Sequence, residues 1–211
     1  MSSKMPATLD ADTADAIAAV YGLYDPPLWL ITAADGATRG GLIATFVVRA
    51  SIVRSLPRML AGIAKHHHTW GLIEASGGFA AHLLHADQLD LVWRFGLQSG
   101  HERDKFAGLP YETTPAGQPR LPGTLAWLDC RVEARLDSGD RTLYVAAVTG
   151  GAALAQGPAM TVQTLFSNTP PERRADLDRL YARDGEIDAA AIRAWREQSA
   201  DARAPRRETS S

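Results

Sequence analysis

Cysteine is almost absent from this chain, because Cys130 is the only one among its 211 residues. A lone cysteine excludes an intrachain disulfide, and we expect Cys130 to be a buried packing residue on a strand, as unpaired cysteine usually is. We also expect no signal peptide, since Asp10, Asp12 and Asp15 stand where such a peptide needs an apolar run after basic residues. These absences predict a cytoplasmic protein.

Neither sign of charge dominates the sequence, and no long hydrophobic run is present. Lys and Arg number 22 and Asp and Glu number 24, so the formal net charge is −2 and we expect no nucleic-acid partner. The uncharged stretch 142–171 is interrupted by Gly, Pro and Gln, whereas a spanning helix needs about 20 mostly apolar residues. We therefore expect no membrane association either.

Several well-known catalytic motifs are missing as well. The chain has no Gly-x-Ser-x-Gly elbow, no Walker loop, no His-Glu-x-x-His pair and no Gly-x-Gly-x-x-Gly fingerprint. Its 45% hydrophobic and 22% charged residues are nevertheless typical of a globular protein with one large domain. The sequence gives no support for covalent catalysis.

The patterns that are present predict six or seven short strands and a few helices. Two hairpins are indicated, one around Asp35-Gly36 and one around Ser138-Gly139-Asp140. Further strands are predicted at 59–64, 79–84 and 160–166, and helices at 12–20, 69–75 and 87–98. Because strands and helices do not alternate as in a parallel sheet, the pattern favours a small antiparallel barrel. The Gly- and Pro-rich segment 100–123 is predicted to be a long functional loop, a candidate lid.

The C-terminal region differs in kind from the rest. Residues 171–211 contain nine Arg against nine Asp and Glu, with few apolar positions. The spacing of those apolar positions predicts two short helices around Asp184-Gly185, packed on the body or on a partner chain. Residues 204–211 are predicted to be a flexible, solvated tail.

One segment carries a strong local excess of positive charge. Residues 39–68 hold four arginines, Lys65 and three histidines, but no Asp or Glu. Residues 65–69, Lys-His-His-His-Thr, join a predicted strand to the first turn of a predicted helix, where free N–H groups and the helix dipole bind anions. The pattern indicates a phosphate site. The alternative is that Thr69 is only a helix cap and the arginines are solvated surface.

The three consecutive histidines also raise the possibility of a metal site. Neutral imidazole is the commonest metal-ligand group in proteins. Adjacent residues at the end of a strand point in different directions, however, so His66, His67 and His68 are not expected to converge on one ion. We predict no metal site.

Six segments in a fixed order resemble one known family, the flavin reductase-like, FMN-binding split-barrel proteins. They include Arg49-Ala50-Ser51 at the end of the second segment and Gly139-Asp140 after the last, and they are residues 27–32, 41–51, 65–73, 78–84, 104–108 and 125–132. The resemblance covers about residues 25–165. Residues 41–51 are especially similar to the flavin-reductase domains that accompany diiron flavoproteins.

The resemblance implies a mainly β fold with helices, an antiparallel, Greek-key-like split β-barrel with a helical C-terminal extension. The implied division is an N-terminal helical segment (1–24), the flavin reductase-like domain (25–168), a charged helical extension (169–203) and the tail (204–211). It also implies a homodimer that binds FMN, or FAD, near the subunit interface.

The family's flavin-binding positions can be carried over residue by residue. The strand and turn that face the isoalloxazine ring and the ribityl phosphate correspond to Ala44, Thr45, Phe46, Val47, Arg49, Ala50 and Ser51. The phosphate-binding turn corresponds to Lys65, His67, His68 and Thr69, which coincides with the site indicated by charge.

Three further positions correspond to family positions near the flavin or the nicotinamide. His82 falls where many relatives have Asn near the flavin, with a barrel histidine bonded to a backbone carbonyl as the alternative. Phe106 belongs to a loop near the flavin, with simple packing as the alternative. Arg141 stands where reductase relatives commonly carry a His on the nicotinamide side, and an arginine cannot donate a proton near neutral pH.

The function implied by the resemblance is an NAD(P)H-dependent flavin reductase that passes electrons to oxygen or to a partner oxygenase. Two alternatives stay open at this point. One is a non-enzymatic FMN-binding or electron-relay protein that does not use nicotinamide, and the other is an anion- or metal-binding module without flavin. Reduction of bound flavin by NADH or NADPH separates the first reading from the others.

Overall fold

The computed structural model describes residues 8–203, with side chains described up to residue 199. The helices in this part of the chain are α1 (Ala11–Tyr21), α2 (His68–Ser76), α3 (Leu89–Gly96), α4 (Val162–Asn168) and α5 (Pro171–Arg203). The strands are β1 (Trp29–Asp35), β2 (Thr38–Ala44), β3 (Val47–Arg49), β4 (Arg58–Ala64), β5 (Gly78–Leu83), β6 (Glu112–Thr113), β7 (Pro119–Arg120), β8 (Ala126–Asp137) and β9 (Arg141–Ala153).

Seven of the strands form one antiparallel sheet in the order β2-β1-β5-β8-β9-β4-β3. Its two edge strands, β2 and β3, are consecutive in the chain and are separated only by Thr45 and Phe46. Since so short a link spans little more than 10 Å, the sheet must curl until its edges nearly meet. The architecture confirms the predicted split β-barrel with a C-terminal helix.

Two apolar clusters make up the core. The first fills the barrel and includes Ile31, Phe79 and Tyr144 together with Cys130, which is fully buried as predicted. Burial raises the pKa of the Cys130 thiol to about 12, so the thiol stays protonated and inert. The second cluster lies outside the barrel, where α3, α4 and the start of α5 pack, and Leu177 is its contribution from α5.

The predicted hairpins and the helix after the three histidines are confirmed, but two other predictions were wrong. Residues 160–166 do not form a strand, because the Thr161 hydroxyl accepts a hydrogen bond from Thr164 N and caps α4. The C-terminal extension forms one helix of 33 residues rather than two short ones. Gly185 lies inside it, at a cost of about 1 kcal/mol that neighbouring helix formers and ion pairs such as Arg174–Asp178 offset.

The segment 100–123, predicted as a long loop, contains the small β6–β7 hairpin and is fixed to the barrel by several hydrogen bonds. Buried Lys105 donates hydrogen bonds from Nζ to the carbonyls of Gly41 and Phe95. Buried Asp129 accepts hydrogen bonds from Thr114 Oγ1 and Ala116 N.

The predicted tail, residues 204–211, lies outside the described residues. Among residues 8–203, no helix combines the length and apolarity that crossing a membrane requires.

Candidate functional site

The corner between β2 and β3 carries the first group of predicted flavin-binding residues. Ala44 and Val47 are buried and Thr45 is half-buried, whereas Phe46, Arg49 and Ala50 are exposed and Ser51 is partly so. The corner leads into the exposed loop 50–57, and a shallow groove is lined by residues 49–53. The resulting exposed apolar row consists of Phe46, Val48, Ile52, Val53 and Leu56. So much exposed apolar surface marks a binding region.

Arg141 lies beside this corner, because β4 pairs with both β3 and β9. Its guanidinium lies 4.6 Å from the centre of the Phe46 ring, a cation–π contact. Nε donates a hydrogen bond to Asp140 Oδ2, and Nη2 donates one to Asp188 Oδ2 at 2.6 Å. Arg141 is therefore held by a ring on one side and by two carboxylates on the other, one of which comes from α5.

The start of α2 carries the second group of predicted residues. The helix begins after His67, which makes no side-chain capping hydrogen bond, and no acidic residue lies in its first turn. The amides of His68 and Thr69 therefore open the helix without a side-chain cap. Lys65 lies just before, with Nζ 2.6 Å from Asp137 Oδ1. Such an uncapped, basic helix start suits an anion.

The three histidines do not behave alike. The His68 ring packs against His101, with 5.0 Å between the ring centres, and so diverges from its neighbours as expected. The rings of His66 and His67 lie 4.2 Å apart, and both are close to Asp184 of α5. Burial, reinforced by the neighbouring His66, lowers the pKa of His67 to about 4. The expectation that the three rings point apart holds only for His68.

His82 and Phe106 lie in the interior rather than at the corner. Leu121 N donates a hydrogen bond to His82 Nε2, and His82 Nδ1 lies 3.0 Å from the Leu30 carbonyl, so Nδ1 carries the proton and donates it there. The His82 ring is fully buried, and burial lowers its pKa to about 4. Phe106 packs against Phe95 and Tyr111 in the second core cluster. The contacts of His82 are those of a barrel histidine bonded to a backbone carbonyl, and the contacts of Phe106 are those of a packing residue.

Sequence reasoning missed the two carboxylates that α5 brings to the barrel, Asp184 and Asp188. Their spacing of four residues places them on one face of a helix, but residues 184–185 had been predicted to separate two helices. Trp195 of α5 lies against the β8–β9 turn so closely that a Cβ on Gly139 would come within 2.7 Å of the tryptophan Cβ. Together with buried Leu177, this contact lays α5 across the Arg141 side of the barrel.

Comparison with known proteins assigns the chain to a family. Residues 21–167 match the model of the flavin reductase like domain, which is more than two thirds of the chain. The chain belongs to the flavin reductase-like family. The matched region contains the corner, the start of α2 and Arg141, whereas α5 lies beyond it.

Two curated relatives are 36% identical to this chain over the matched residues. One is a high molecular weight rubredoxin of Moorella thermoacetica, matched over 67% of this chain and 59% of the relative. The other is the reductase subunit HsaB of a flavin-dependent monooxygenase of Mycobacterium tuberculosis, matched over 58% of this chain and 68% of the relative. The chain thus spans about three fifths of the first relative's length.

A solved structure supports the same conclusion about the fold. Nitrilotriacetate monooxygenase component B from Mycobacterium thermoresistibile is 27% identical and superposes with a TM-score of 0.60. The superposition covers 76% of this chain and 93% of that protein.

Proposed function

We propose that the protein is a flavin reductase that binds FMN, or FAD, at the β2–β3 corner and the start of α2. The observation that carries this proposal is the uncapped, acid-free start of α2 beside an exposed aromatic and apolar corner in a member of this family. A flavin has the two matching parts, a planar apolar ring and an anionic phosphate. The donor set of the chain therefore fits the cofactor.

The start of α2 would hold the phosphate. The amides of His68 and Thr69 supply hydrogen-bond donors and the helix dipole favours the negative charge. Lys65 adds a cation, since its present partner is a surface carboxylate and such pairs contribute little. His67 takes part through the backbone at the helix cap, while its ring faces α5.

The corner would hold the ring. Phe46 and the neighbouring apolar row offer a flat surface, and Ala44 and Val47 fix the backbone on which that surface rests because they are buried in the barrel core. Bound flavin would supply the redox chemistry by accepting a hydride from NADH or NADPH. The residues of the chain need only position the two rings and exclude water, which accounts for the lack of a catalytic dyad in the sequence.

The exposed apolar row also supports a homodimer. Five large apolar side chains from Phe46 to Leu56 are exposed in a single chain, and exposed apolar surface is typical of an interface. A second copy seated there would place the flavin near the subunit boundary.

We further propose a partner oxygenase as electron acceptor, on the model of the monooxygenase reductase subunit among the relatives, and a cytoplasmic location.

One observation favours a second function, an FMN-binding electron relay that does not use nicotinamide. Arg141 is engaged by Asp140 and by Asp188 of α5, so the side of the corner expected to receive nicotinamide is partly covered. A steady-state assay separates the two proposals. A reductase oxidises NADH or NADPH in the presence of FMN and oxygen well above the rate without protein, whereas a relay retains FMN but does not raise that rate.

A further inference from the structure

The side chains of His66, His67 and Asp184 form a cluster that the proposed flavin site does not use. Each of these residues offers one ligand atom, and the three atoms lie within 4.8 Å of one another. The histidines come from the turn between β4 and α2, and the aspartate comes from the middle of α5. Helix α5 therefore completes the cluster across the surface of the barrel.

The spacing within the cluster suits a shared ion better than a direct hydrogen bond. His66 Nε2 lies 3.7 Å from Asp184 Oδ2, which is beyond hydrogen-bond range. Two ligands that each lie about 2.0–2.1 Å from a tetrahedral zinc ion are separated by about 3.4 Å. The observed separation is close to that value, and a small movement of either side chain closes the difference.

The surroundings of His66 repeat the outer arrangement of many metal sites. Both ring nitrogens of His66 are buried and make no hydrogen bond to any residue of the described part of the chain. Nδ1 faces Asp188 Oδ1 at 3.6 Å, while Nε2 faces Asp184. A metal-bound histidine commonly turns its second nitrogen toward a carboxylate, which fixes its orientation. Arg141 holds the other oxygen of Asp188 in place.

The charge of the neighbourhood also tolerates a cation. Arg183 contacts Asp184 Oδ1, which leaves Oδ2 directed at the histidines. Three carboxylates, those of Asp140, Asp184 and Asp188, surround the guanidiniums of Arg141 and Arg183.

We propose that His66, His67 and Asp184 bind a divalent transition metal ion of the zinc class, with a solvent molecule as the fourth ligand. Two imidazoles and one carboxylate are a donor set that zinc accepts. The ion would join α5 to the barrel next to Arg141, so its first consequence is the position of that helix. Lys65 and the amides of His68 and Thr69 stay outside the metal site.

The test uses the full chain, freed of metal by a chelator and kept without flavin or nicotinamide. Zn²⁺ is titrated against a chromophoric competitor, and Co²⁺ is added separately because its visible spectrum reports tetrahedral ligands. We expect one ion per chain. Asp184→Asn and His66→Ala should each weaken zinc binding at least tenfold, and Asp188→Asn should weaken it about tenfold through the lost outer carboxylate.

Two controls keep the test decisive. Asp178→Asn removes an exposed carboxylate of the same helix and should leave the zinc affinity unchanged. His68→Ala removes the histidine that faces away from the cluster and should also leave it unchanged. Zinc affinity that depends on His68 but not on Asp184 would reduce the site to a run of surface histidines, and the proposal would be wrong.

A second readout covers the case in which a variant is altered in folding. One equivalent of Zn²⁺ should raise the melting temperature of the wild-type protein and slow proteolysis within α5, and both effects should vanish in Asp184→Asn. No stoichiometric binding, or equal stabilisation of the wild type and Asp184→Asn, contradicts the proposal. Because no flavin is present, either result leaves the proposed reductase function to its own test.

Discussion

The two sides of the basic segment 39–68 differ in their environment: one is exposed and helix α5 covers the other. At the β2–β3 corner, Phe46 and the loop 50–57 are exposed, and Arg49 forms no ion pair with any of the side chains that the structure describes. Around His66 and Arg141, helix α5 brings Asp184 and Asp188 against the positive charge. The side at the corner, which we call the open side, is thus accessible to a ligand. On the other side, which we call the covered side, carboxylates of α5 lie against the positive charge.

This difference shows that local charge in the sequence indicates an anion but not which molecule supplies it. On the covered side the anions are two aspartates that lie more than 100 residues from His66 in the chain. On the open side the surface carries apolar side chains and helix amides that a bound molecule can cover. The predictions that follow test this division.

The largest expected effect concerns the anchor of the covered side. Leu177 is buried in the second core cluster, so Leu177→Ala should lower the free energy of unfolding by about 2–5 kcal/mol. Ile187→Ala, at a position of α5 that is 41% exposed, is the matched control and should cost far less. Urea unfolding measures both. Equal effects would mean that α5 does not pack as described.

The barrel that carries both sides should itself be sensitive to acid. Folded His82 has a pKa of about 4, whereas the unfolded side chain titrates near 6.5. The unfolded state therefore binds a proton first, and stability falls as the pH drops from 6.5 to 4, by about 3 kcal/mol in total. His82→Gln should flatten this part of the pH profile in urea unfolding. An unchanged slope would contradict the assignment.

The open side should lose flavin affinity when its cation is removed. Lys65→Ala should weaken FMN binding by about 1–3 kcal/mol, the scale of a charge-assisted hydrogen bond. Arg58→Ala is the control, because Arg58 is also a paired surface cation of this segment but lies at the far end of β4. Quenching of FMN fluorescence measures the affinity. Unchanged affinity in Lys65→Ala would refute the placement of the phosphate.

The exposed apolar row should be needed for self-association. Ile52→Asp puts a charge at a position that is 89% exposed in a single chain, and we expect the dimer dissociation constant to rise at least tenfold, or about 1.4 kcal/mol. Leu136→Asp, at a position that is 62% exposed on β8, is the control. Sedimentation equilibrium measures both. A monomeric wild type, or equal effects of the two variants, would remove the proposed interface.

The smallest effect on flavin affinity is expected at the boundary between the two sides. Arg141→His removes the contacts with Asp140 and Asp188 but leaves the start of α2 intact. FMN affinity should stay within about threefold, while the rate of flavin reduction by NADH or NADPH should change. Stopped-flow absorbance gives the rate and fluorescence quenching gives the affinity. A large loss of FMN affinity would show that Arg141 belongs to the flavin site itself.

The sequence predicted an antiparallel barrel because the signals for its strands and turns are local. The turns at Asp35-Gly36 and at Ser138-Gly139-Asp140 each connect two apolar strands, and both hairpins form where expected. The short apolar run at 160–166 was read as a strand because such runs do not distinguish strand from helix. The cap that decides the matter is Thr161.

The covered side could not be predicted, because it depends on a contact between distant parts of the chain. The sequence pattern predicts two helices around Gly185, which gives no reason to place Asp184 and Asp188 on one helix face. The rings of His66 and His67 were expected to diverge, and it is α5 that brings them a common neighbour. The flavin-binding residues of the open side remain predictions that the experiments above test.

The most direct test of the proposed function is reduction of the bound flavin without oxygen. FMN-loaded wild-type protein is mixed with one equivalent of NADH or NADPH, and the visible absorbance is followed beside a control of free FMN. We predict that the bound flavin bleaches much faster than the free flavin with at least one of the two nicotinamides. A bound flavin that stays yellow with both, yet bleaches with dithionite, would contradict the reductase function and favour the electron relay.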